Sequence, residues 1–238
     1  MARGARNQLI IALDFDRLAP ALQMARRLAD FAGMFKIGRQ LFTAEGPHAV
    51  EKLAKFGPGI FLDLKFHDIP NTVAGATHAA AQLPGVRLVN VHALGGRAMM
   101  RAAARAVAGK KRRPKVVGVT LITSMDEKAM SQVGILGPPL KRVVQLARLA
   151  KLAGLDGVVA SPLEVAAIRR ACGGKFLTVV PGIRPAAFAR DDQSRFATPA
   201  EAIRAGADYL VVGRPITEAK DPRAAAKAIL EEMSSALA

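Results

Sequence analysis

The stretch Gly59–Val73 reads Gly-Ile-Phe-Leu-Asp-Leu-Lys-Phe-His-Asp-Ile-Pro-Asn-Thr-Val and sets Asp63, Lys65 and Asp68 in or beside an apolar run. Ile60, Phe61, Leu62 and Leu64 predict a strand, along which side chains alternate, so Asp63 and Lys65 share a face. A carboxylate and an ammonium in such a strand cost several kcal/mol per ion unless they are paired. The plainer reading is a satisfied ion pair, with Asp68 capping the helix that follows. The other reading is a site in which side chains handle charge directly. Asp68-Ile69-Pro70-Asn71-Thr72 reads as a loop, which puts the charges at the C-terminal end of the strand. In α/β barrels that end carries the chemistry.

The elements that must position these groups recur along the chain. Apolar runs occur at Leu9–Phe15, Met34–Gly38, Ile60–Phe66, Leu88–Ala93, Val116–Ile122, Gly157–Ala160, Leu177–Pro181 and Tyr209–Gly213. Helical patterns follow them at Pro20–Phe31, Gln40–Phe56, Val73–Gln82, Gly96–Ala108, Pro139–Ala153, Pro162–Ala171, Pro199–Ala205 and Pro222–Ala236. Strands without strict polar alternation are covered on both faces, as in a parallel sheet. Eight such units predict one (β/α)8 TIM barrel over residues 1–238, and a doubly wound open sheet is the alternative. The long connections Thr123–Pro138 and Gly182–Thr198 fall on the C-terminal face, where closing loops lie.

Composition bounds the function. The 238 residues suit one α/β domain, and a mean hydropathy of +0.20 comes largely from alanine-rich helices. No apolar run approaches the ~20 residues that span a bilayer. Leu9–Leu13 is too short for a leader's apolar segment. One cysteine, Cys172, excludes an internal disulfide and suits a reducing cytoplasm, and its helical position reads as packing. Lys and Arg number 35 against 19 Asp and Glu, a formal charge of +16. That excess fits an anionic small ligand or a merely solvated surface; with one tyrosine and no tryptophan, base stacking on nucleic acid has little to rest on. Lys110-Lys111-Arg112-Arg113 reads as an exposed loop. His48, His67, His78 and His92 lack the two-His spacing of a helix-borne metal site, so no metal is expected. Packing or structural roles are expected for His67 and His92.

Polar residues gather at corresponding strand ends: Asp14, Lys36, the Asp63/Lys65 pair, Asn90 and His92, Thr123 and Ser124, Pro181-Gly182-Ile183-Arg184, and Gly213-Arg214. Such residues converge only in a barrel or a similar sheet. Barrels commonly hold phosphate after strands seven and eight. Gly182 and Gly213 would let backbone approach phosphate oxygens, and Arg184 and Arg214 would offer forked donors, with Gln193 nearby. The site therefore predicts a phosphorylated small molecule.

Taken together, Asp63-Leu64-Lys65-Phe66-His67-Asp68-Ile69-Pro70-Asn71-Thr72 resembles the signature of the orotidine 5′-phosphate decarboxylases. Leu13-Asp14, Lys36-Ile37-Gly38, Val91-His92, Leu121-Ile122-Thr123-Ser124-Met125, Pro181-Gly182-Ile183-Arg184-Pro185, Asp192-Gln193 and Val212-Gly213-Arg214-Pro215-Ile216 continue the likeness in order. The Asp-x-Lys-x-x-Asp core alone is shared with sugar-phosphate relatives; Lys36 and the Asp-Ile-Pro-Asn-Thr extension make it specific. Ala187-Phe188-Ala189-Arg190 departs from the family pattern in the phosphate loop.

The resemblance implies a cofactor-free conversion of orotidine 5′-monophosphate to uridine 5′-monophosphate, the last step of de novo UMP synthesis. It implies that Lys65 supplies the proton to C6 and that Asp63 lies near the substrate carboxylate. Lys36 would hold Asp63 and the ribose, and Asp14 would bind the ribose. Thr123 and Ser124 would read the pyrimidine, and Gln193 would bridge toward phosphate. Thr72, Pro181, Arg184, Gly213 and Arg214 complete the implied binding residues. A homodimer is implied too, with Asp68 and Ile69 reaching the partner's site, in the cytoplasm, with no nucleic acid or membrane partner. A metal-dependent sugar-phosphate relative is the nearest alternative, but it would carry an acid where Lys36 stands. A non-catalytic basic barrel is the other, and it would not need Lys65.

Overall fold

The computed structural model describes residues 3–109, 112–185 and 197–237. Its parallel strands close a barrel in sequence order: β1 (Leu9–Ala12), β2 (Met34–Gly38), β3 (Gly59–Phe66), β4 (Val86–His92), β5 (Lys115–Val119), β6 (Gly157–Val159), β7 (Leu177–Val180) and β8 (Tyr209–Val212), with β8 pairing back to β1. This is the (β/α)8 barrel.

Period-two alternation builds it in two layers. Leu9, Ile11, Phe35, Ile37, Ile60 and Leu62 face outward into the core beneath the helices. Ile10, Ala12, Met34, Phe61, Leu88, Val117, Val179 and Val211 form a separate inner cluster that fills the lumen. Lys36, Asp63 and Asn90 follow Met34, Phe61 and Leu88 by two residues each, and so continue the inward rows toward the C-terminal mouth. All three are buried.

The outer ring comprises α1 (Arg3–Gln8), α2 (Leu18–Leu28), α3 (Arg39–Glu45), α4 (Pro47–Leu53), α5 (Pro70–Ala80), α6 (Gly96–Ala106), α7 (Glu127–Gln132), α8 (Pro139–Leu152), α9 (Val165–Cys172), α10 (Pro199–Arg204), α11 (Arg214–Thr217) and α12 (Pro222–Leu237). The single helix expected over Gln40–Phe56 is broken: Gly46 adopts φ +62° and Pro47 opens a new helix. A positive φ favours glycine, and proline suits a first helical turn, so Gly-Pro divides the run. Pro70-Asn71-Thr72, expected as loop, form the first turn of α5 for the same reason. Helices α1, α7 and α11 lie where none was expected. Several strands stop short of the predicted runs, which places Asp14 in the loop after β1. Among the described residues no helix is long and apolar enough to cross a membrane.

The opposite end of the barrel is tied by carboxylates. Asp156 accepts hydrogen bonds from both terminal guanidinium nitrogens of Arg113 at 2.7 Å and from the Val116 N–H at 2.8 Å. Asp208 accepts the Thr178 N–H at 2.6 Å and pairs with Arg169. Arg113, expected to be a plain loop charge, is thus a strand clamp; Lys110 and Lys111 lie outside the described residues. Cys172 is buried, in keeping with packing.

Candidate active site

A cavity of about 520 Å³ opens at the C-terminal mouth, lined by Asp14, Lys36, Asp63, Lys65, Thr123, Pro181, Gly182, Arg184, Gly213 and Arg214 among others. Its floor is a charge chain. Lys36 Nζ donates to Asp14 Oδ1 at 2.6 Å and lies 3.6 Å from Asp63 Oδ2. Lys65 Nζ donates to Asp63 Oδ1 at 2.6 Å. The two readings of Asp63 and Lys65 therefore merge: they are an ion pair, and that pair faces a cavity. Burial pushes the Asp63 carboxyl pKa up, but Lys36, Lys65 and the bond from Asn90 outweigh it and hold it below its ordinary value.

Local backbone aims these groups. Register slips between β3 and β4 from Leu62↔Val89 to Phe66↔Val91, a bulge that contains Asp63 and Lys65. Lys65 has φ +52°, the sole positive φ outside glycine among the described residues. At Gly38 a Cβ would stand 2.8 Å from Asp14 Oδ1 and 3.1 Å from Lys36 Nζ, so glycine makes room for that pair. Gly182, beside Arg184, has φ +75°, a backbone that favours glycine.

Asp68, Ile69, Thr72 and Ser124 do not line the cavity. Asp68 does not cap α5; among the described residues its carboxylate accepts only the adjacent Ile69 N–H, at 2.6 Å, and α5 has no side-chain cap. Ile69 is 66% exposed. Gln193 lies outside the described residues. Asn90, by sequence no more than a polar strand end, bonds both Asp63 and Lys65.

His67 and His92 stack at 5.2 Å, which supports packing roles, and His92 Nδ1 is buried with no hydrogen-bond partner among the described residues. Burial, then His67, Lys65 and Arg39, press the His92 pKa down from 6.5 to about 4. A depressed folded pKa favours the neutral ring, so its contribution is full above pH 6.5 and is lost as pH falls toward 4. The melting temperature of the protein is expected to drop across that window, and to drop less in His92→Gln; parallel profiles by calorimetry would contradict this.

Charged side chains from separate strands meeting in a cavity at the barrel's C-terminal mouth define the site of a (β/α)8 enzyme. The sequence model of the "Orotidine 5'-phosphate decarboxylase / HUMPS family" matches residues 7–229, and the chain belongs to that family. It is 54% identical over 232 residues to the orotidine 5′-phosphate decarboxylase of Geobacter sulfurreducens, covering 96% of this chain and 97% of that protein. Identity to the enzyme of the same name from Trichlorobacter lovleyi is 53%, covering 96% of each chain. The solved structure of orotidine 5′-phosphate decarboxylase from Lactobacillus acidophilus superposes with a TM-score of 0.81 at 40% identity, over 94% of this chain and 98% of that one. The Pyrococcus horikoshii enzyme of that name gives 0.76 at 27%, over 95% and 99%.

Proposed function

We propose that this chain decarboxylates orotidine 5′-monophosphate to uridine 5′-monophosphate in pyrimidine synthesis, with no cofactor. The observation that carries it is the Lys36–Asp63–Lys65 chain on the cavity floor. The C6–carboxylate bond breaks with its electron pair left on C6, CO2 departs, and a proton from the Lys65 ammonium takes its place. Preorganised positive charge beside the developing carbanion supplies the main stabilisation. Asp14 and Lys36 hold the ribose; Thr123 on the cavity wall reads the pyrimidine, and Ser124, outside the wall, joins it when the loop after β5 closes. Pro181, Arg184, Gly213, Arg214 and Gln193 bind the phosphate, whose binding energy closes the long loops over the site. The large positive net charge suits an anionic substrate.

The metal-dependent reading is the weaker one. An ammonium already stands between the Asp14 and Asp63 carboxylates, where a cation shared by both would sit. The test is the absorbance of orotidine 5′-monophosphate with purified protein in EDTA. Loss of the orotate chromophore with release of uridine 5′-monophosphate is expected; an inert protein, or one active only with added Mg²⁺, would reject the assignment.

The protein works as a homodimer in the cytoplasm, with Asp68 and Ile69 at the mouth completing the partner's site. The exposure of Ile69 and Leu94, 66% and 41%, supports an apolar contact there. Mixing two inactive variants, Lys65→Ala and Asp68→Ala, under subunit exchange is then expected to restore about a quarter of full activity, because half the dimers are mixed and each has one intact site. Size-exclusion chromatography showing an active monomer, or no recovery on mixing, would defeat the shared site.

A further inference from the structure

Across the β3 bulge, Asp63, Leu64 and Lys65 stand opposite the single residue Asn90 of β4. Asn90 is fully buried. Its side-chain Oδ1 accepts the Lys65 backbone N–H at 2.8 Å. Its Nδ2 donates to Asp63 Oδ1 at 2.6 Å, the same oxygen that takes the Lys65 ammonium. The amide's orientation is forced, since an N–H can meet only its oxygen and a carboxylate only its NH2.

A non-glycine residue in the left-handed region costs ~1–2 kcal/mol, and a backbone that does so must be held by its surroundings. At Lys65 the hold is visible: the Asn90 side chain takes the N–H opposite the slip in strand register. We infer that Asn90 is a positioning residue, which fixes the Lys65 backbone and the Asp63 carboxylate as one unit and aims the ammonium into the cavity. The inference rests on the decarboxylation proposed above. The choice of residue follows from chemistry. Alanine or valine would leave the Lys65 N–H unbonded, and aspartate would set a second carboxylate against Asp63. Asparagine supplies both the acceptor and the donor.

The test compares wild type with Asn90→Ala, Asn90→Ser and Asn90→Asp. Turnover of orotidine 5′-monophosphate, its pH dependence and the melting temperature are measured together. For Asn90→Ala kcat is expected to fall about 100-fold with KM within about 3-fold of wild type, the size of loss that a small misplacement of reacting groups produces. Asn90→Ser should lose less, because its hydroxyl can serve one of the two partners, and Asn90→Asp more. The acid limb of kcat/KM should move to higher pH in Asn90→Ala, as Asp63 loses a bond that favours its ionised form. A purely structural role would lower the melting temperature and the folded fraction, while leaving the acid limb and the kcat of the folded enzyme unchanged. That result would overturn the inference. Titration of the Asp63 carboxyl by ¹³C NMR in wild type and Asn90→Ser reads the coupling without turnover. An inert wild type would defeat the decarboxylase reading, and an unmoved Asp63 titration would defeat Asn90's role.

Discussion

Replacing Lys65 with alanine is expected to lower kcat/KM for orotidine 5′-monophosphate by about 10⁴-fold or more, the combined size of a lost proton donor and a lost electrostatic stabiliser. The barrel should survive the change. Asp63 keeps Asn90 at 2.6 Å and Lys36 at 3.6 Å, so it is not left as an uncompensated buried charge. The Lys65 side chain is 23% exposed and fills no closed core space. Alanine inherits the φ of +52° at no large extra cost, because lysine already bears it. Lys65→Arg separates the two roles. A guanidinium keeps the charge but holds its protons too tightly to replace the one at C6, so it should not restore turnover. The checks are chromophore loss and a calorimetric melt on each variant. Activity within 10-fold of wild type in Lys65→Ala would move the proton donor elsewhere.

The fold was legible because parallel barrel strands are buried on both faces, so each appears as a short apolar run whichever way its side chains point. Strand ends were less so. Leu13 and Leu121 are buried like strand residues although they lie beyond β1 and β5. The helix α7 opens at Asp126, whose carboxylate accepts the Ala129 N–H at 2.7 Å, a local cap that passed as loop polarity. Lys36, Asp63 and Lys65 were found because charge in an apolar run stands out. Asn90 shares the inward phase of Leu88, and a buried amide at that phase was a readable signal that the strand-end reading absorbed. The left-handed turn at Lys65 was not readable. It depends on how β3 pairs with a strand some 25 residues away, and no local residue type announces it.

Asp63→Asn has the second largest expected effect, and it separates two accounts of the carboxylate. The wild-type group lies 2.6 Å from Lys65 Nζ, so a substrate carboxylate accepting a bond of ~2.8 Å from that ammonium would stand within ~5.4 Å of it. Two negative charges at that distance repel by ~3 kcal/mol at an effective dielectric of 20, about 100-fold in affinity. Neutral asparagine removes the repulsion, so orotidine 5′-monophosphate should bind more tightly. Uridine 5′-monophosphate, which lacks the carboxylate, should change little. If the repulsion is relieved as CO2 leaves, kcat falls while KM falls with it. The substitution also leaves Lys65 without its counter-charge, which lowers stability in the free enzyme by less than a fully buried pair would, because the Lys65 side chain is 23% exposed. The pH dependence has a definite sign. A carboxyl pKa held below its ordinary value adds stability above that range and loses it as pH falls through the folded value, so acid unfolding of Asp63→Asn should lack that component. Calorimetric binding of the two nucleotides decides the matter, with Lys65→Ala as the common background so that orotidine 5′-monophosphate is not consumed. A changed ratio of their affinities would mean that Asp63 acts on the substrate, and an unchanged ratio that it serves only to hold Lys36 and Lys65.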